Sequence, residues 1–355
     1  MVDIMKKNVS LGIIVSLATA ILSIIISDFI GISLLDFKKS PISPIIIAIM
    51  FGLLLNNVLP GVSNYSKGYK FCVKYLLKLG IILLGIRLSL FDFIQYGSKS
   101  LLVIIPCIFC AIILIDRLKD KFNVSTNLAL LIAVGTSICG ATAIVALAPS
   151  INAKKTEITY AIANITIFGL LAMFLYPIIA NIVFANNDLG VGLFLGSSIH
   201  ETAQVAGSSM IYAEQYLKQD VVGIATLTKL VRNSLMVFVI PFLAHRSLSS
   251  TSKNIKTTSI FPFFIIGFLI FGLIRTIGDY YFTTNNTYGS IQWDLIILYI
   301  KKTAEFLLII AMAAVGYNTN FKYFKDLGIK PFYLGFIAAS TVGIISMLVI
   351  TIAII

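Results

Sequence analysis

Long apolar stretches recur along this chain from one end to the other, separated by short polar connections. A bilayer core about 30 Å thick is crossed by roughly 20 mostly apolar residues in a helix. The pattern therefore predicts an all-α polytopic membrane protein with eleven transmembrane helices. The predicted spans are residues 8–27, 43–59, 71–90, 98–118, 126–149, 157–185, 188–211, 219–243, 260–278, 298–318 and 331–355.

The composition of the chain agrees with this pattern. Apolar residues make up 58% of the 355 positions and charged residues only 12%, which is too few charges to cover the surface of a soluble protein. No Pro-rich, Gly/Ser-rich or charged linker divides the chain, so we expect a single transmembrane domain over residues 1–355. The cysteines all fall inside spans and indicate neither a disulfide framework nor a zinc site; they are Cys72, Cys107, Cys110 and Cys139.

The net charge of +12 has an explanation in the membrane. Lysine and arginine accumulate on the cytoplasmic loops of membrane proteins. In this chain they are more frequent on the connections that share a side with the N-terminus. We therefore expect a cytoplasmic N-terminus and an external C-terminus, with the lipid bilayer as the large partner. A homo-oligomer is compatible with the sequence, and the charge does not indicate nucleic-acid binding.

Four basic residues lie inside apolar spans, where a charge costs about 2.5 to 3.5 kcal/mol at the membrane centre. Lys229 and Arg232 are three residues apart in the eighth span, so both project from one helical face. They predict an anion site in the protein interior; the alternative is a structural pair neutralised by an acid on another helix. Arg87, near the end of the third span, is a further candidate that could instead reach the interface. Lys78 continues a basic stripe that leaves the membrane.

Small and polar residues interrupt the apolar pattern of the fifth span. Gly135, Thr136, Ser137, Gly140 and Thr142 form a central run. Such a run either allows close packing of helices or marks a broken helix whose free backbone N–H groups face a cavity. The residues are small on all sides of the helix, which favours the break.

The seventh span adds ionisable groups to a similar pattern. Ser197, Glu201, Gln204 and Ser208 recur at helical spacing and form a polar stripe, and His200 precedes Glu201. The string resembles the HExxH zinc protease signature, but position 204 is glutamine where the signature needs a second histidine. We therefore predict no enzyme activity, no metal and no cofactor.

The tenth span contains a third interruption. Gly316, Asn318 and Asn320 follow its apolar run, and Glu305 enters the membrane one turn after two lysines, with which we expect it to pair. Asn318 is a candidate site residue, and it could equally mark the end of a helix.

The interruptions are spaced as in an inverted repeat. Residues 52–57 of the second span match the spacing of residues 196–201 of the seventh, and the fifth and tenth spans both pass from AVG into polar residues. Because five is odd, repeats five spans apart have opposite orientations in the membrane. We expect an extra N-terminal helix (1–30), a first repeat (41–185) and a second repeat (188–355), with the fifth and tenth spans discontinuous and close to each other.

Three strings point to a known family: GIRLSL at 85–90, GTSICGATAIVALAP at 135–149 and GSSIHETAQVAG at 196–207. In this order they closely resemble the YeiH-type membrane proteins, which are described as sulfate exporters, and the resemblance covers nearly the whole chain. It implies a location in the cell membrane of a prokaryote. It also implies a fold similar to the cation/proton antiporters and bile-acid symporters, in which two discontinuous helices cross at mid-membrane.

Together these features predict a secondary transporter that exports a small anion, such as sulfate, sulfite or an organic sulfonate, by alternating access. Half-helix N-termini at 135–142 would supply N–H donors, and Lys229 and Arg232, with Arg87, would supply positive charge. His200 or Glu201 would carry a coupled proton. The main alternative is a cation/proton antiporter with Glu201 as the ion ligand. A channel would need a continuous polar lining, and an intramembrane enzyme lacks its ligand set.

Overall fold

The computed structural model describes residues 2–30, 43–59, 61–246, 264–285, 287–319 and 329–355, and these ranges are almost wholly helical. The first helices are α1 (Val2–Asp28), α2 (Pro44–Val58), α3 (Ser66–Phe71), α4 (Leu77–Leu84) and α5 (Leu90–Leu118). The middle of the chain forms α6 (Thr126–Ser137), α7 (Ala141–Leu147), α8 (Lys155–Phe184), α9 (Asp188–Ser198) and α10 (Thr202–Gln215). The last helices are α11 (Asp220–Ser234), α12 (Met236–Arg246), α13 (Phe264–Asn285), α14 (Thr287–Asn318) and α15 (Ile329–Ala353).

Six helical segments of the described residues are long and apolar enough to cross a membrane. They are Val9–Asp28, Leu90–Leu118, Lys155–Phe184, Asp220–His245, Phe264–Phe282 and Ile329–Ala353. This confirms a multi-pass helical membrane protein. The other predicted spans coincide with helices that are short or interrupted or, in α14, carry charged residues near the middle. The count of eleven spans stays a prediction.

Several helices begin at polar side chains that bind their free N–H groups. Ser43 precedes α2 and accepts a hydrogen bond from the backbone of Ile45 at 3.2 Å. Ser125 caps α6, and Asn187 caps α9 by accepting from the Gly190 N–H at 2.8 Å. Ser and Asn are favoured at these positions because the first N–H groups of a helix have no partner within the helix.

The chain divides into two compact units, each made of segments that are not contiguous in sequence. The first unit comprises Met1–Phe93, Ser209–Gly223 and Phe264–Lys322. The second unit comprises Ile94–Ser208, Ile224–Phe263 and Tyr323–Ile355. Both units draw on both predicted repeats, so neither unit is one repeat, and the inverted repeat stays a prediction.

In the first unit, α2 and α14 pack with their backbones nearly in contact. A Cβ added to Gly52 would lie 2.5 Å from the carbonyl oxygen of Ala313, and one added to Gly316 would lie 2.9 Å from the Cα of Gly52. Only glycine permits this separation, because any side chain would overlap backbone atoms that cannot move aside. Small residues that let helix backbones approach closely are a common packing device in membranes.

This packing corrects the interpretation of the tenth span. Helix α14 is continuous through Gly316 and ends at Asn318. The predicted interruption covers residues 316–320: at Gly316 the helix is continuous and the glycine serves close packing, Asn318 ends the helix, and a discontinuity beyond it stays a prediction. Asn320, which belonged to the same prediction, lies outside the described residues.

The second unit has a continuous apolar core shared by six helices. Its fully or almost fully buried members include Ile104 of α5, Ile132 of α6, Ile144 of α7, Ile165 of α8, Met236 of α12 and Leu334 of α15. Lipid tails are as apolar as these side chains, so close packing rather than removal from water holds such helices together in a bilayer. The core includes Ile138 and Cys139, which lie at the interruption between α6 and α7.

Candidate functional site

The fifth span is broken at the residues that the sequence indicated. Helix α6 ends at Ser137, and α7 begins at Ala141. Between them Gly140 has φ +63° and ψ −129°, a backbone conformation that L side chains rarely adopt. A Cβ on Gly140 would also lie 2.9 Å from Oε1 of Glu201. The prediction of a discontinuity near Gly135–Gly140 is confirmed.

The break bends the chain sharply. In a straight helix, Gly135 and Ile144 would be about 13.5 Å apart along the axis, because each residue rises about 1.5 Å. In the structure a Cβ on Gly135 would lie 2.8 Å from Cδ1 of Ile144. The two half-helices therefore turn back toward each other, and the absence of a side chain at Gly135 leaves room for the side chain of Ile144.

The second broken helix is the seventh span. Helix α9 ends at Ser198, Ile199 is extended, and α10 begins at Thr202. His200 and Glu201 lie in the gap. The fifth and seventh spans, both in the second unit, are thus two interrupted helices that meet.

Polar contacts join the two breaks directly. Oε1 of Glu201 accepts a hydrogen bond from the Ala141 backbone N–H at 3.2 Å, at the beginning of α7. The Glu201 N–H donates to Oε1 of Gln204 at 3.2 Å, and Nε2 of Gln204 donates to the Thr166 carbonyl of α8 at 3.4 Å. Gly169 of α8 leaves the space that the Gln204 amide occupies.

Lys229 of α11 connects the ends of both interrupted helices. Its ammonium donates to the carbonyls of Ile138 and Ile199, each at 2.9 Å, and to the carbonyl of His200. An ammonium has three N–H donors, so these three hydrogen bonds use all of them. The side chain is completely buried.

Arg232 makes the same connection one turn further along α11. Its Nε donates to the Ser137 carbonyl at 2.8 Å, Nη2 donates to the Thr136 carbonyl, and Nη1 donates to the carbonyls of Ser197 and, at 3.3 Å, Ile199. The last carbonyls of a helix lack partners within the helix and form its negative end. The two buried cations therefore satisfy the C-terminal ends of both α6 and α9.

These contacts bear on the alternatives that the sequence left open. Among the described residues, neither Lys229 nor Arg232 forms an ion pair with an acid. Their donors are instead occupied by backbone carbonyls, so a direct bidentate contact with an anion would require some of these bonds to open. Glu201 is the carboxylate that contacts these breaks among the described residues, so the formal charges of Glu201, Lys229 and Arg232 sum to +1.

The two sides of the breaks differ in exposure. Thr136, Ser137 and Ser197, at the ends of α6 and α9, are buried. Glu201 is half-buried, and Thr142 of α7 is exposed. The accessible side thus presents the beginnings of α7 and α10 with the Glu201 carboxylate, while the capped ends of α6 and α9 lie inside.

Two predicted site residues lie in the first unit. Nη2 of Arg87 pairs with Oε1 of Glu305 at 2.5 Å, and Nη1 donates to the Gln219 carbonyl at 3.0 Å. Glu305 thus has an arginine partner where the sequence suggested a neighbouring lysine. Asn318 ends α14 and is half-buried. The other ten predicted residues lie together in the second unit: Gly135, Thr136, Ser137, Gly140, Thr142, His200, Glu201, Gln204, Lys229 and Arg232.

Some contacts at the breaks could not be read from the sequence. Nδ2 of Asn233 donates to the Thr202 hydroxyl at 3.0 Å, which ties the beginning of α10 to α11. The carbonyl acceptors carry no signal in residue type, because every residue has one. Gly169, inside an apolar helix, is the sequence feature that could have indicated space for the Gln204 side chain. No group of His, Cys, Asp or Glu suited to a metal ion occurs in the described ranges.

Comparison with known proteins gives a consistent result. The family model described as Conserved hypothetical protein 698 matches residues 11–335. A UPF0324 membrane protein of Fusobacterium nucleatum is 33% identical over 86% of this chain and 89% of its own length. One from Clostridium tetani is 30% identical over 97% of both chains, and one from Streptococcus agalactiae is 32% identical over 84% and 86%. No solved structure matches.

Proposed function

Because this chain belongs to the UPF0324 family of membrane proteins, we propose that it is a secondary transporter that moves a small anion by alternating access. The observation that carries the proposal is the pair of interrupted helices in the second unit, joined by two buried cations on α11. Discontinuous helices in the membrane are typical of substrate sites in secondary transporters. Buried ionisable residues there are typical of a functional site.

The charges at the breaks support an anion as the substrate. Lys229 and Arg232 are fully buried, and Glu201 is the acid beside them. A net positive charge in surroundings of low dielectric constant attracts an anion strongly, even when the cations' donors are already bound to carbonyls. Sulfate, sulfite and organic sulfonates are anions of suitable size. An inverted repeat of five helices and export across the cell membrane belong to this same proposal.

Proton coupling is a consequence of the same charges. When Glu201 is ionised, its carboxylate accepts from the Ala141 N–H and offsets one of the two cations. Protonation of Glu201 removes that offset, so the centre becomes more positive and binds an anion more tightly. By linkage, the anion also favours protonation, so we propose that proton and anion bind together.

A second candidate function is cation/proton antiport. The half-buried carboxylate of Glu201 favours it, because this group is partly accessible and could exchange a proton for a metal cation. In that case Lys229 and Arg232 would act only as fixed structural charges that hold the helix ends.

Flux in liposomes distinguishes the two functions. Purified protein is reconstituted, and the movement of labelled sulfate and of labelled sodium is measured with and without a pH gradient. We expect sulfate flux that a pH gradient stimulates, and no sodium flux. Glu201→Gln should retain exchange of anion for anion and lose the stimulation by the pH gradient, because the amide cannot take up the proton.

A matched control removes a carboxylate elsewhere. Asp120→Asn changes an exposed turn between α5 and α6 and should leave both modes unchanged. Sodium flux driven by a pH gradient, together with loss of every mode in Glu201→Gln, would replace the anion proposal with the cation one. Absence of any flux in the wild-type protein would refute both.

A further inference from the structure

His200 is the polar side chain at the breaks that the described contacts leave without a partner. It is 1% exposed, and neither ring nitrogen makes a hydrogen bond within the described part of the chain. The Thr136 carbonyl lies near the ring, and its second lone pair could accept from one ring nitrogen besides the bond from Arg232, which still leaves the other ring nitrogen without a partner. A buried polar atom without a partner costs about 1 to 3 kcal/mol, so something outside the described contacts is expected to bind the ring.

The neighbouring cations cannot supply that partner. They do determine the protonation state of the ring. All three donors of Lys229 are used, and one of them binds the carbonyl of His200 itself. A third positive charge beside Lys229 and Arg232 would be repelled strongly in a buried site, so a neutral imidazole is the form compatible with them. A neutral imidazole carries one N–H donor and one nitrogen lone pair that accepts.

The lone pair restricts what can bind. An anion without hydrogen, such as sulfate or a simple alkyl sulfonate, offers only acceptor oxygens and would face the lone pair with another lone pair. An anion that also carries a hydroxyl or ammonium group can accept from the ring N–H and donate to the other nitrogen. If the ring N–H donates to the Thr136 carbonyl, the lone pair of the other nitrogen still requires a donor from the ligand.

We propose that His200 is a specificity-determining contact of the transported anion, and that the favoured anions are those that carry a hydrogen-bond donor of their own. This deepens the proposed anion transport and rests on it. The position of the residue in the chain suits the role, because it lies in the gap between α9 and α10 and is followed by Glu201 and Thr202, which are half-buried.

Paired anions of equal charge test the inference. Uptake into liposomes is compared for isethionate and ethanesulfonate, which are similar in size and differ by one hydroxyl group. A second pair is hydrogen phosphate and sulfate, at a pH where both are dianions. For the wild-type protein we expect the donor-bearing member of a pair to be taken up about tenfold faster at limiting concentration, the effect of about one hydrogen bond.

Substitutions of His200 test whether this preference depends on its imidazole ring. His200→Gln keeps both a donor group and an acceptor group and should retain most of the preference, whereas His200→Leu should bring the ratio close to one. His245→Leu, which changes the exposed histidine at the end of α12, should behave like the wild-type protein. If the leucine variant does not fold, competition in the wild-type protein still decides: isethionate should inhibit sulfate flux at lower concentration than ethanesulfonate does.

The outcomes separate the two proposals. Flux of both members of each pair at equal rates would overturn the role of His200 and leave anion transport standing. A preference that persists unchanged in His200→Leu would do the same. No flux of any of the four anions would overturn anion transport, and this inference with it.

Discussion

At the scale of single residues, Lys229 and Arg232 show how backbone can hold charge inside a membrane protein. Each donor nitrogen of these side chains is bonded to a carbonyl at the end of an interrupted helix. The carbonyls need partners because their helices stop inside the protein, and the cations need acceptors because they are fully buried. Each group therefore satisfies a requirement that the other creates.

Loss of Arg232 should accordingly be costly to folding. Arg232→Gln removes four hydrogen bonds and leaves buried carbonyls without partners, so we expect a destabilisation of about 1 to 3 kcal/mol for each carbonyl left unpaired. Arg232→Lys keeps the charge but has fewer N–H donors and no planar guanidinium. Its stability should therefore lie between those of the wild-type protein and Arg232→Gln. Thermal unfolding of the purified proteins in detergent measures this order of stability.

The control for this series is Arg117→Gln, at an exposed position near the end of α5, where a change within about 0.5 kcal/mol is expected. An Arg232→Gln protein as stable as the wild-type protein would contradict the capping role. Transport by any Arg232 variant is meaningful only after this measurement, since a misfolded protein would imitate loss of a binding residue.

At the scale of helices, glycine has two different uses that look alike in the sequence. Gly140 sits at a break, with a backbone conformation that other residues rarely adopt. Gly316 lies inside the continuous helix α14, where it lets α2 approach. Both occur in runs of small and polar residues, so composition alone could not separate them. The difference lies in what each glycine faces.

Gly316→Ala should therefore destabilise the protein through packing. The added Cβ would overlap the Ile49 carbonyl oxygen and lie 2.9 Å from the Cα of Gly52, so α2 and α14 must separate. Overpacking of this kind costs about 1 to 3 kcal/mol. Thermal unfolding in detergent measures the loss.

A matched control is available in α5. Gly97 is also helical, and a Cβ there would meet nothing within 4 Å. Gly97→Ala should be neutral or raise stability by up to about 1 kcal/mol, because alanine favours helix. Equal effects of the two substitutions would show that α2 and α14 do not pack as described.

At the scale of the whole molecule, the distribution of basic residues predicts an orientation. The chain has a net charge of +12, and its loop lysines and arginines are more frequent on the side that holds the N-terminus. Positive loops remain in the cytoplasm during insertion. We propose that the N-terminus is cytoplasmic and the C-terminus external.

Reporter fusions check this orientation. A fluorescent protein that matures only in the cytoplasm should be active at the N-terminus and inactive at the C-terminus. Alkaline phosphatase, which is active only outside the cytoplasm, should give the opposite result at the C-terminus. Cytoplasmic signals at both ends would mean an even number of crossings and would exclude the count of eleven spans.

The sequence by itself determined the class of the protein, the position of the break near Gly140 and most of the residues around it. Membrane spans follow from the length of apolar runs, and a buried charge or a run of small polar residues is an exception that is visible without coordinates. The same reasoning placed His200, Glu201, Lys229 and Arg232 among the candidates.

Only the tertiary structure decided which interrupted helices meet and what the cations touch. The sequence placed interruptions in the fifth and seventh spans, but only the structure shows that Glu201 at one break binds the Ala141 N–H at the other. The partners of Lys229 and Arg232 are backbone carbonyls, which every residue has, so no pattern of side chains could reveal them. Contacts between elements far apart in sequence depend on how the chain folds.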